Sequence, residues 1–97
     1  MDYAQRLRIY EQQIRNLQDD GDLDINALLV LTTRDELTKA APGEREAARL
    51  AALDDQLIER QPLLAQVLPF PSEHERWRWW WFLHEGAQVR DQALQSA

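Results

Sequence analysis

Five apolar side chains near the N-terminus, Tyr3, Leu7, Tyr10, Ile14 and Leu17, recur at alternating spacings of four and three. That interval keeps returning to one side of an α-helix but switches sides of a strand, so residues 3–18 are predicted as a helix with a single apolar seam. On a helical wheel the five fall within about 80°, narrower than the ~100° stripe of an ordinary core-facing helix. Such a seam is the a/d line of a coiled-coil-like helix and seats one or two partner helices. Tyr3, Tyr10 and Ile14 are therefore candidate helix-pairing residues, within the chain or between copies.

The remaining segments also read as helix. Asp19-Asp20-Gly21-Asp22 ends the first, with Gly21 as a left-handed C′ residue. Asp24 is placed to cap a second helix whose Ile25, Leu28, Leu29, Leu31 and Thr32 share a core-facing side. Thr33-Arg34-Asp35-Glu36 has the form of a capping box, which predicts a break near Thr33 and a new short helix starting there and running through Leu37 to Ala40. The alternative for 25–32 is a buried strand, because the run is short and continuously apolar.

Pro42 suits the first turn of a helix over 43–61, whose apolar arc holds Ala47, Leu50, Ala51, Leu53, Leu57 and Ile58. Pro62 interrupts that helix, and Leu63, Leu64, Val67 and Leu68 continue as a kinked extension or a separate turn. Pro69-Phe70-Pro71 forces an extended connector, since each proline pushes its predecessor out of the α region. Ser72-Glu73-His74-Glu75 reads as a capping box opening a last helix over 73–94. The fold expected is an all-α bundle of four to six helices in a single domain over 1–97. Three of the helices are long: 3–18, 43–61 and 73–94.

The last of these carries the densest aromatic run, Trp77-Arg78-Trp79-Trp80-Trp81-Phe82. Placed on an α-helix, Trp79, Trp80, Phe82, Leu83, Val89 and Leu94 form a core face. Trp77 and Trp81 fall opposite, with His74, His84 and Gln88 beside them. Large apolar groups on a polar face mark binding surfaces, and tryptophan is enriched at interaction hot spots. The competing reading buries this helix all round, with each indole N–H satisfied internally. Alternating Arg and Trp also suits membrane-active peptides and base-stacking platforms. Both need a basic setting, and Glu73, Glu75 and Glu85 flank the run.

Asp54 lies inside the apolar arc of its helix, between Leu50 and Ile58. A buried carboxylate is costly unless paired, so Asp54 is either a functional carboxylate or the acceptor of a Tyr hydroxyl, Trp N–H or Arg. Asp20, Asp22, Asp24 and Asn26 alternate as the first ligands of a calcium loop do, but Ile25 and Leu31 hold the positions where that loop needs Gly and Glu. His74 and His84 point roughly 80° apart on the wheel and cannot aim at one ion from one helix. No phosphate-binding loop, dinucleotide fingerprint or nucleophile elbow is present. Leu53-Asp54-Asp55-Gln56-Leu57-Ile58-Glu59-Arg60 resembles the first helix of the all-α chorismate mutases over those eight residues. Pro62 stops the helix where that family's runs on, and a single lysine suits its dianionic substrate poorly.

The 97 residues contain no Cys, which excludes disulfides, thiolate metal sites and thiol catalysis. A net charge of −6 argues against binding nucleic acid, and no apolar run approaches the ~20 residues of a spanning helix. Asp2, Arg6, Arg8 and Glu11 do not form a signal-peptide core, so a cytoplasmic location is expected by elimination. The expectation is a non-catalytic interaction or regulatory protein, homo-oligomeric or bound to another protein through Trp77 and Trp81. No cofactor or metal is expected. An enzyme or ligand-binding protein using Asp54 in an inter-helix pocket is the alternative.

Overall fold

The computed structural model of the chain describes residues 2–95. Helix α1 spans Tyr3–Arg15, α2 Leu23–Glu36, α3 Glu44–Glu59, and α4 is a single turn, Gln61–Leu64. A 3₁₀ helix, Trp79–Glu85, and a short α5, Val89–Gln95, complete an all-helical architecture with no strand among the described residues. The molecule measures 35 × 30 × 22 Å.

Helix α1 lies between α2 and α3, which is what its narrow seam requires. Leu7, Tyr10 and Ile14 are buried on it, and Leu17 follows into the core from just beyond its last turn. An Asp2–Gln5 capping box starts it, with the Gln5 N–H donating to Asp2 Oδ1 and the Asp2 N–H to Gln5 Oε1. The helix stops at an Asn16 cap, and Gly21 does not take the left-handed conformation expected of it. Helix α3 buries Leu53, Asp54 and Leu57, while Ala47 and Ala51 of its predicted arc stay exposed. Pro62 sits in the first turn of α4, so the chain bends at Arg60 and the turn is separate.

Two segments depart from expectation. Helix α2 runs unbroken to Glu36, with no new helix at Thr33 and no strand at 25–32. Its buried side is Leu23, Ala27, Val30, Leu31 and Arg34, so the chain turns Ile25, Leu28 and Leu29 outward instead. Both sides of this helix are apolar, and the side chosen is the one that also carries Arg34 to a buried carboxylate.

The long helix expected over 73–94 does not form. Residues 73–78, Trp77 included, are irregular, and Trp79, Trp80 and Trp81 sit on the first of two short 3₁₀ turns that meet at Phe82 (φ −117°, ψ 19°). Gly86 (φ 126°, ψ 166°) then turns the chain into α5. Bulky aromatics have only moderate helix propensity, and tertiary contacts override so weak a preference. Ser72 and His74, expected to open the helix, instead bond to each other, Oγ to Nε2 at 2.8 Å. The Leu68–Pro69 peptide bond is cis. Gln61 Nε2 donates to the Leu83 carbonyl (2.8 Å), fastening the 3₁₀ helix to α4, and Arg90 pairs with Asp55 (2.7 Å), fastening α5 to α3.

Candidate protein interface

Two carboxylates, Asp54 and Asp35, hold part of the sequence-predicted site inside the molecule. Asp54 is 5% exposed and accepts three hydrogen bonds. Tyr10 Oη donates at 2.7 Å and Arg34 Nε at 2.9 Å to Oδ1, while Arg34 Nη2 donates at 3.1 Å to Oδ2. The guanidinium thus grips the carboxylate by a two-pronged contact and lies over the Trp80 ring, 4.2 Å from its centroid. Helices α1, α2 and α3 are joined at this one point. Burial first, and then the Asp54 charge, push the Tyr10 phenol well above its ordinary range. Asp54 faces one cation and one phenol, and both of its oxygens accept from them.

Asp35 does the same for the aromatic run. Its Oδ1 accepts the indole N–H of Trp80 (2.8 Å) and of Trp81 (3.0 Å), and its Oδ2 pairs with Arg78 (3.2 Å). Trp81, expected beside Trp77 on an open face, is therefore only 5% exposed. The His74 imidazole stacks flat on it, ring centroids 3.8 Å apart and planes within 2°. Phe70 meets the same indole edge-on. Trp77 is 48% exposed and packs edge-on against Trp80, its indole N–H directed to Glu75. The Trp77–Trp81 pair is thus not formed, because Trp81 sits on a 3₁₀ turn anchored on Asp35 while Trp77 precedes that turn in irregular chain.

The other predicted contact residues are also engaged within the chain. Tyr10 and Ile14 are fully buried, so the α1 seam is filled by the protein's own α2 and α3. Tyr3 is half-buried and donates to the Leu37 carbonyl at 3.3 Å. His84 is half-buried near Phe82, and Gln88 is exposed with its amide bonded to the Glu85 carbonyl. His74 and His84 do not converge, and among the described residues no cluster of three His, Cys, Asp or Glu is placed to hold a metal ion.

What the molecule does leave open is the outward side of α2. Ile25, Leu28 and Leu29 are 57%, 46% and 49% exposed, and Thr32 extends their line. The spacings of three and four place all four on one stripe, about 10 Å long at 1.5 Å per residue. Its N-terminal end is acidic, with exposed Asp19, Asp20, Asp22 and Asp24. Its C-terminal end carries Lys39 and Arg6, both paired with Glu36, at 2.9 Å and 3.2 Å. Single exposed apolar side chains are ordinary, but three together on one helix face form a patch of the kind found at interfaces. The sequence signal for this patch is its periodicity, which does not fix whether that side of the helix faces the core or solvent.

No helix among the described residues is long and apolar enough to cross a membrane. Comparison with protein-family models, with curated proteins and with solved structures finds no match to this chain.

Proposed function

We propose that this is a non-catalytic interaction protein that associates with a second copy of itself through the outward face of α2. The observation carrying this reading is the stripe of Ile25, Leu28 and Leu29, half-exposed on a helix whose other side is already packed. A two-fold axis between Leu28 and Leu29 sets α2 antiparallel to its copy. Leu28 then meets Leu29, Ile25 meets Thr32, and the acidic start of one helix lies beside Lys39 and Arg6 at the end of the other. Isologous pairing of this kind uses one patch on both copies. The antiparallel choice is supported by the charges, since a parallel pairing would set four aspartates against four.

The magnitude places this contact in the weak class. Each of the three side chains loses roughly half its surface, about 1 kcal/mol apiece and about 6 kcal/mol over both copies. That exceeds the lower end of the ~4–15 kcal/mol that association costs by about 2 kcal/mol, and the acidic-to-basic contacts at the two ends add about 1 kcal/mol each, which implies a weak, reversible dimer with a Kd of about 0.3 to 3 mM. Sedimentation equilibrium over that range tests it. Leu28→Glu removes apolar contact on both copies and places two unpaired carboxylates near the axis, which raises Kd by about 100-fold or more. A wild type that stays monomeric at about 1 mM, or a Leu28→Glu variant that dimerises equally well, overturns the proposal.

A further inference from the structure

A groove of about 270 Å³ lies between α1 and α3 and shares no residue with the α2 stripe. Ala4 and Leu7 contribute apolar wall, and Arg8, Arg45 and Arg49 bring three positive charges to it. Two glutamates also line the groove, yet both are already used. Glu11 is held by Arg49 and Arg15, and Glu46 accepts the Gly43 backbone N–H at 3.0 Å. Arg8 and Arg45 have neither a hydrogen bond nor an ion pair among the described residues. Every other cationic side chain has a partner: Arg60 donates to the Leu17 carbonyl, and the rest pair with carboxylates.

In a chain of net charge −6 with 17 acidic residues, carboxylates are plentiful, so two arginines without one on the same groove is a distinctive arrangement. We propose that this groove binds a small amphipathic carboxylate. The carboxylate sits between Arg8 and Arg45, whose planar forks match its geometry, and an aliphatic tail lies on Ala4 and Leu7. A volume near 270 Å³ sits just below the ~300–1,000 Å³ range of small-molecule pockets, which suits a fatty acid of medium length rather than a nucleotide.

Titration of the ¹⁵N-labelled protein with sodium octanoate, and separately with 1-octanol, tests this. Saturable shifts are expected in the amides of residues 4–11 and 43–49 with octanoate, and at least tenfold weaker binding of octanol. Arg8→Gln and Arg45→Gln, both at exposed positions, each weaken octanoate binding by about tenfold, the equivalent of ~1.4 kcal/mol. Both variants retain the wild-type spectrum away from the groove and the wild-type self-association, because the α2 stripe is untouched. Octanol binding as tightly as octanoate, variants that bind octanoate unchanged, or no saturable shift at about 10 mM overturns the proposal.

Discussion

Replacing Asp54 by alanine removes the one group that neutralises Arg34, which is itself only 8% exposed. The loss is more than three hydrogen bonds at 2.7, 2.9 and 3.1 Å, because a guanidinium is left in the core without a counter-charge. Breaking a buried pair from one side costs about 3–5 kcal/mol. A domain of this size has about 5–15 kcal/mol of stability, so the variant keeps a marginal fold at best. Urea unfolding followed by far-UV circular dichroism reads this directly. With a slope of about 1 kcal/mol per molar, the midpoint falls by about 3 M or the protein is unfolded in buffer. The companion variant separates charge burial from loss of shape. Asp54→Leu with Arg34→Met and Tyr10→Phe removes all three polar partners together, and the apolar replacements recover most of the loss, since swapping a whole buried ion pair is often neutral. A cost below about 1 kcal/mol for Asp54→Ala, or a triple variant no better than the single, refutes the role assigned to this cluster.

Three further outcomes follow from the same contacts. Asp35→Ala strips the acceptor from two indole N–H groups and from Arg78, so a loss of about 2–4 kcal/mol in urea unfolding is expected, with tryptophan fluorescence moving to the red. Gly86→Ala forces a side chain onto a backbone at φ 126°, ψ 166°, a conformation kept almost wholly for glycine. It also meets the Gln88 side chain, and costs about 1–3 kcal/mol on thermal unfolding. The Tyr10 phenol is raised by burial and by Asp54, so its protonated form is the one the fold favours. Its contribution is complete below the unfolded value of about 10 and is lost as pH rises through that value towards the folded one. Urea midpoints therefore fall between about pH 9 and pH 11, and Tyr10→Phe flattens that fall; an unchanged slope contradicts it.

How much of this was legible in the sequence differs from helix to helix. The α1 seam was readable because its outer side carries only one large apolar residue, Ile9, and Leu7, Tyr10, Ile14 and Leu17 are the residues the core buries. Asp54 was readable as a buried carboxylate, and two of the partner types named for it, a Tyr hydroxyl and an Arg, are the ones present. Helix α2 was not, because Ile25, Leu28 and Leu29 follow the same period as Leu23, Ala27, Val30 and Leu31 on the other side. What decides between the two sides is Arg34, whose partner lies twenty residues away in α3. The tryptophan run misled for a similar reason. Asp35 lies inside the predicted Thr33–Glu36 capping box, while its Oδ1 accepts from indoles 45 and 46 residues distant, a pairing that local spacing does not encode. Trp81 is thus drawn into the core while Trp77 stays 48% exposed, and Ile25, Leu28 and Leu29 are left on the surface.

The claim that α2 presents its apolar stripe to a second copy is tested most directly by cross-linking at that stripe. The chain contains no cysteine, so Leu28→Cys and Leu29→Cys each introduce a single thiol beside the proposed two-fold axis, and Ile9→Cys places one on the outer side of α1. Under mild oxidation in the concentration range where wild type self-associates, the two α2 variants are expected to form disulfide-linked dimers quickly and the α1 variant slowly. Equal rates at positions 9, 28 and 29, or no dimer from either α2 variant, would contradict the account.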